Sequence, residues 1–287
     1  MLLKTFRYTF ILLIFTISIV SCTKNDPSAS STPLRIQLTD APTLSGDEPE
    51  HQIRELYIDI RSIEVFVVGP NAREEWIVLD FPGDEYNVLT LTNGRMRQIV
   101  EQWIPANRRI EEMRLILGNN SRIVTTTVRE IPLEVPREII VEDIGADLRL
   151  HTISSIVIDM RSALFYDKKS DTFEFKTNIR VFPEIFGWSL RGTVSPTDVF
   201  AGIMIEQDGM KLFSSTERNG TFMFLGLPGD EWTVHIFPDS LRGFRDTTFV
   251  HKIDSAQRVN DLRTITLHRI VVEAPDPDPD PEPEEEI

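Results

Sequence analysis

One cysteine in 287 residues, Cys22, excludes any intrachain disulfide, so burial alone must hold the fold. No apolar run approaches the roughly 20 residues that a membrane-crossing helix needs. The stretch 9–20 (TFILLIFTISIV), roughly 12 residues of 1.5 Å rise, falls well short of a bilayer core about 30 Å thick. Basic residues are scarce: 30 Lys and Arg stand against 45 Asp and Glu, a net charge of -15. That balance excludes a nucleic-acid partner, which needs cationic patches to neutralise phosphates. His51, His151, His235, His251 and His268 are scattered, with no H-E-x-x-H helix to start a zinc site. "GWSLRG" at 187–192 has one residue too many for the G-x-S-x-G elbow. No D-x-D-x-D-G loop offers calcium ligands, and no tandem repeat of fixed period runs through the chain. No cofactor is implied.

What the chain does contain begins with Lys4 and Arg7, the apolar run, and Ile19-Val20-Ser21 just ahead of Cys22. A positive segment, an apolar segment and a small residue before a cut are the layout of a signal peptide. The large, tolerated, small order before Cys22 resembles the lipobox of bacterial lipoproteins. That resemblance implies cleavage before Cys22, a diacylglyceryl group on its thiol and an acyl chain, such as palmitate, on the new amine. Two or more chains anchor stably where one binds only marginally. The expectation is a signal peptide over 1–21 and a Ser- and Pro-rich flexible tether over 22–33. The membrane is then a partner through lipidated Cys22, and the outer membrane of the cell envelope is the expected location.

From residue 34 onward the dominant period is two, the mark of half-buried strands. In "ELYIDIRSIEVFVV", Leu56, Ile58 and Ile60 share one face, and the inward set resumes at Ile63, Val65 and Val67. One extra residue at Arg61-Ser62 restores the register, so a β-bulge or short turn is expected there. A single short helix is expected where Met96, Ile99, Val100 and Trp103 fall at i, i+3, i+4 and i+7, with Pro105 as its stop. After Pro183 and Gly187, short strands separated by Gly, Pro and Asp turns indicate an all-β sandwich over 187–272. The end, "EAPDPDPDPEPEEEI", alternates acid with proline, and its eight acids supply more than half of the -15 charge. A stiff, disordered spacer is expected over 273–287. The predicted class is mainly β: two tandem antiparallel β-sandwich-like domains, at 34–183 and 187–272, with one short helix in the first.

Two resemblances attach to these segments. Leu38-Thr39-Asp40-Ala41-Pro42, "YNVLTLTNG" at 86–94, "RLILGNN" at 114–120, "SSIVIDM" and "FEFKTNIRV" resemble the domain of unknown function 4382 of Bacteroidetes lipoproteins. The chain departs from that pattern at Ile158-Asp159-Met160 and Phe175-Lys176-Thr177. The resemblance implies topology and location but no reaction. Gly192-x-Val194 and "TERNGTFMFLGLPGDEWTVHI" at 216–236 resemble the carboxypeptidase regulatory-like module, a transthyretin-like β-sandwich. In secreted proteins that module is a spacer or binding adjunct.

Candidate functional side chains are few. Asp40 in "LTDAP" reads as an Asx-turn carboxylate or a ligand contact. Trp188, at the domain junction, reads as packing or as an aromatic contact. Asp59 and Asp159 stand opposite apolar neighbours and are expected to face solvent; a calcium site would require both to meet Asp40 in one groove. The resulting expectation is a membrane-anchored, non-enzymatic binding or scaffolding protein directed to a glycan or an envelope protein. The alternatives are a carbohydrate-processing hydrolase with converging carboxylates and a structural or adhesion subunit whose edge strands pair with a partner.

Overall fold

Alternating burial, read residue by residue, turns most of the described residues into strands: they hold 63% of those residues, and helices 4%. The structure is a computed structural model that describes residues 29–39, 43–44, 53–70, 73–160, 163–167, 169–170, 172–176 and 179–270. Cys22, Asp40 and the 273–287 segment lie outside these residues. The chain divides into two compact units, Met1–Phe186 and Gly187–Ile287.

In the first unit, a four-stranded sheet runs in the order Arg180–Pro183, Ser154–Asp159, Ser31–Thr39, Met96–Pro105. A larger sheet is built on the 16-residue strand Ile53–Val68, which pairs with Arg108–Leu117 and Arg122–Thr125 end to end on one edge and with Glu74–Val78 and Asp84–Asn87 on the other. Leu34, Ile36, Leu38, Ile156 and Ile158 from the smaller sheet share one apolar core with Leu56, Ile58, Ile63, Val65, Ile110 and Leu115 from the larger. This is a sandwich, with inward residues alternating against outward ones. The expected bulge is present. Ile60 faces Leu117 and Ser62 faces Ile116, so Arg61 is the unpaired extra residue and the inward phase moves from Ile60 to Ile63.

The helix expected at Met96–Trp103 is a strand, Met96–Pro105, antiparallel to Ser31–Thr39. Its ladder skips a residue: Ile36 faces Val100 and Gln37 faces Gln98, leaving Ile99 as a bulge. The bulge sets two apolar residues side by side, and Val100 and Ile104 both point inward. An i, i+4 pair is also two strand periods, so a bulged strand reproduces the helical pattern. The short helical turn of this unit lies instead at Val88–Leu91.

The second unit stacks a three-stranded sheet (Thr221–Leu227, Trp188–Ser195, Val259–Thr266) on a four-stranded one (Met210–Ser215, Ala201–Gln207, Glu231–Pro238, Thr247–Lys252). Leu190, Phe222, Phe224, Ile203, Ile205, Trp232 and Val234 form its core, with the Phe222 and Phe224 rings edge-on at 6.2 Å. Gly187 opens the unit at φ +64°, and a Cβ there would overlap the Leu227 carbonyl, so only glycine fits. Pairing is mostly antiparallel, with a departure shared by both units. The first strand of each lies parallel to a late one: Ser31–Thr39 beside Ser154–Asp159, and Trp188–Ser195 beside Val259–Thr266. Local hairpins cannot make such neighbours; a long crossover must.

Candidate functional site

Asp59 and Asp159, expected at the surface, are both fully buried. Their strand phase is outward, but the outward face is covered at each position. Over Asp59 passes the turn that follows Arg108–Leu117. A Cβ on Gly118 would collide with Asp59 Oδ2, and the Asn120 amide donates to that oxygen at 3.0 Å. Arg61, swung out by the bulge, donates from Nη2 to Oδ2 at 2.8 Å. Its Nε lies 2.7 Å from Oδ1, an ion-pair contact off the N–H direction that leaves Oδ1 without an aligned hydrogen bond. Asp159 stands directly opposite Arg180 on Arg180–Pro183, whose guanidinium binds Oδ2 and lies 5.1 Å from the Phe182 ring centre. Each carboxylate is spent on a charge-assisted pair inside the sheet.

The remaining outward charges of the larger sheet are matched too. Arg114 lies 4.1 Å over the Trp76 ring and pairs with Glu64 at 3.0 Å and Glu138 at 2.8 Å. Arg122 lies 4.4 Å over Tyr57 and is hydrogen-bonded to Glu85. That bond holds the Glu85 carboxyl below the ordinary 4.5 and raises the Arg122 guanidinium. Tyr57 donates to Glu55 at 2.9 Å, a bond that raises the phenol above its usual range. Cations seated on rings and bracketed by acids make a rigid, self-satisfied face.

Trp188 is half-buried within its own unit. Its ring lies against Gly229, where an added Cβ would come within 3.1 Å of Cζ3, and its Nε1 donates to the Ser255 carbonyl at 3.3 Å. It packs against the second unit's core.

The outer face of the four-stranded sheet in the second unit is unlike these places. Strand register sets Met204 between Phe213 and His235, and Gly202 between Ser215 and Phe237. Phe213 is 38% exposed, Phe237 42%, and Phe200, two residues before Gly202, 61%. The His235 and Phe237 rings are parallel, 6.2 Å apart, and His235 Nδ1 is 3.1 Å from Thr248 Oγ1. Towards the turns at the other end, Glu206, Gln207, Asp208, Asp230, Glu231, Thr233 and Val250 line a hollow of 480 Å³. Lys211 pairs with Glu206 there at 3.4 Å. Among the described residues no group of three His, Cys, Asp or Glu gathers as a metal site. Sequence reading missed this face because its residues come from four strands; the one available signal was the apolar outward phase at Phe213 and Phe237.

A family described as a domain of unknown function (DUF4382) matches residues 31–176. No curated protein matches the chain. Among solved structures, BcpA, the major pilin subunit of Bacillus cereus, is 9% identical, with 84% of this chain and 71% of that one covered at a TM-score of 0.26. Shaft pilin SpaA from Lactobacillus rhamnosus GG is 10% identical, covering 85% and 99% at 0.25. The Bacillus anthracis TIE protein is 9% identical, covering 86% and 42% at 0.25. Likeness of this depth carries no functional argument.

Proposed function

The chain belongs to the DUF4382 family, and from that premise we propose a non-enzymatic binding or scaffolding lipoprotein of the cell envelope, anchored by lipid on Cys22. The observation that carries the binding part is the solvent-facing apolar surface of Phe213, Met204, His235 and Phe237 on the second unit's four-stranded sheet. Apolar area left in water on a stable sheet face gains free energy when a partner covers it. The non-enzymatic part is supported by Asp59 and Asp159, carboxylates that acid–base chemistry would need open and that are closed by Arg61 and Arg180. The anchor is supported by the lipobox-like Ile19-Val20-Ser21-Cys22. The carboxypeptidase regulatory-like resemblance of the second unit agrees with a binding adjunct.

Two measurements test this reading. Cys22→Ser should abolish labelling by a palmitate analogue; continued labelling would sink the anchor. The lipid-free Cys22→Ser chain should then co-sediment with cell-envelope fragments, and adding Phe213→Asp with Phe237→Asp should abolish co-sedimentation while the melting temperature holds. Undiminished co-sedimentation of the triple variant would overturn the assignment of the binding face.

A further inference from the structure

Gly202 is the second residue of the strand Ala201–Gln207, where glycine weakens a strand and where the fold ordinarily supplies a reason for it. Neither usual reason applies. Its φ is not in the left-handed region. A Cβ there would meet nothing closer than the Phe237 carbonyl oxygen at 4.0 Å. Most other glycines have one reason or the other: Gly118 and Gly192 are crowded, and Gly209 and Gly243, which have open space, have φ of +83° and +70°. Gly202 is therefore a side chain withheld from an exposed surface, and its absence leaves a notch open to solvent.

The walls of the notch are specific. Phe237 and Ser215 flank it on the neighbouring strands, Met204 closes it along its own strand, and Phe213 and His235 stand at the diagonals. Neighbouring strands are about 4.8 Å apart and alternate residues about 6.7 Å. The backbone positions of Phe213 and Phe237 are therefore set roughly 10 Å apart across the strands and 7 Å along them, a spacing on the scale of one six-membered sugar ring. Its chemistry is two-sided. Aromatic and thioether groups make the floor, while the Ser215 hydroxyl and the His235–Thr248 pair supply polar groups at the margin.

We propose that this notch binds a neutral glycan, with one pyranose ring seated over Gly202, its C–H face against Phe237 and Phe213 and its hydroxyls towards Ser215 and His235. The proposal rests on the envelope-binding reading and names its ligand. Charge favours a neutral occupant over an anionic one. The chain carries -15, and the same sheet face ends in Glu206, Asp208, Asp230 and Glu231, which repel uronates, sialates and phosphates. A ring with an apolar face and a hydroxyl rim matches aromatic walls with polar groups at the margin better than a purely apolar peptide side chain does.

The test uses the full chain carrying Cys22→Ser, titrated with neutral polymers (β-glucan, mannan, galactan and xylan) and with polygalacturonate. Binding to at least one neutral polymer and none to polygalacturonate is expected. Gly202→Val should weaken that binding at least tenfold while the melting temperature stays equal or rises, because the new side chain enters open space and suits a strand. Gly202→Ala should fall between, and Phe237→Ala should abolish binding. Three results would overturn the proposal: unchanged affinity in Gly202→Val, preference for polygalacturonate, or failure to bind any neutral polymer. Retained co-sedimentation with envelope fragments in that last case leaves the envelope reading standing and identifies a protein partner instead. Loss of both overturns the two together.

Discussion

The outer faces of the two sandwiches are made on opposite rules. On the larger sheet of the first unit, Trp76 is capped by Arg114 and Tyr57 by Arg122, and each arginine is paired with an acid. In the second, Phe213 and Phe237 stand in water with no cation over them among the described contacts. Both kinds of face fit on a half-buried antiparallel sheet, since the core uses only one side. A face whose charges and rings already satisfy one another has little to gain from a partner. A bare apolar face has its desolvation free energy still to gain. The difference separates a self-paired face from a bare apolar one within one chain.

The largest effect should come from emptying the second core. Trp232 is fully buried, so Trp232→Ala is expected to cost about 3–5 kcal/mol. Calorimetry should show a lowered transition for the second unit and an unmoved one for the first; a joint shift would mean that the units unfold as one. Next is Asp159→Asn. It strands Arg180, whose side chain is only 17% exposed, and is expected to cost about 3 kcal/mol. Asp59→Asn should cost less, because Arg61 is 49% exposed and can turn to solvent. Equal losses in chemical denaturation would refute that ordering. Gly118→Ala should cost about 1–3 kcal/mol by forcing a Cβ into the Asp59 carboxylate. The loss should shrink in an Asp59→Ser background, and a double-mutant cycle reads that coupling.

The smallest effect is a pH and salt response. In the first unit, Arg108 on Glu75, Arg122 on Glu85 and Arg149 on Asp147 hold those carboxyls below their ordinary values. In the second, backbone amides do so for Asp254 and Asp261. Depressed acids stabilise the fold above their unfolded values. As pH falls below the ordinary 4.5 of Glu and 3.8 of Asp, the unfolded chain takes up protons first and this stability is lost. Both units should therefore weaken on acidification. Added salt should reduce the pH dependence of the first unit more, because its acids are held by ion pairs with arginine and those of the second first of all by backbone amides. An identical salt response in the two transitions would erase the comparison.

Much of the strand layout was legible in the alternation of residues, including the bulge at Arg61, where a shift of phase left only one economical register. The bulge at Ile99 was not, because two adjacent apolar residues and an i, i+4 repeat also write a helix. The burial of Asp59 and Asp159 was equally hidden. Alternation says which way a side chain leaves the strand and nothing of what lies above it; Asp59 is closed by residues 118–120, some 60 positions away. The notch at Gly202 needed the register of three strands before an ordinary glycine could be seen to lack a reason.

The parallel pairing of Trp188–Ser195 with Val259–Thr266 fixes how the second unit meets mechanical load. Ser189 lies beside Val259 and Ser195 beside Thr266, so the unit's chain enters at one end of this strand pair and leaves at the other. Tension along the chain then pulls the two strands past each other lengthwise. Their hydrogen bonds share the force together, where a hairpin pulled from its open end would yield them one by one. Tension applied between the two ends of this unit would accordingly be resisted across the whole strand pair, and rupture would come as one abrupt slip.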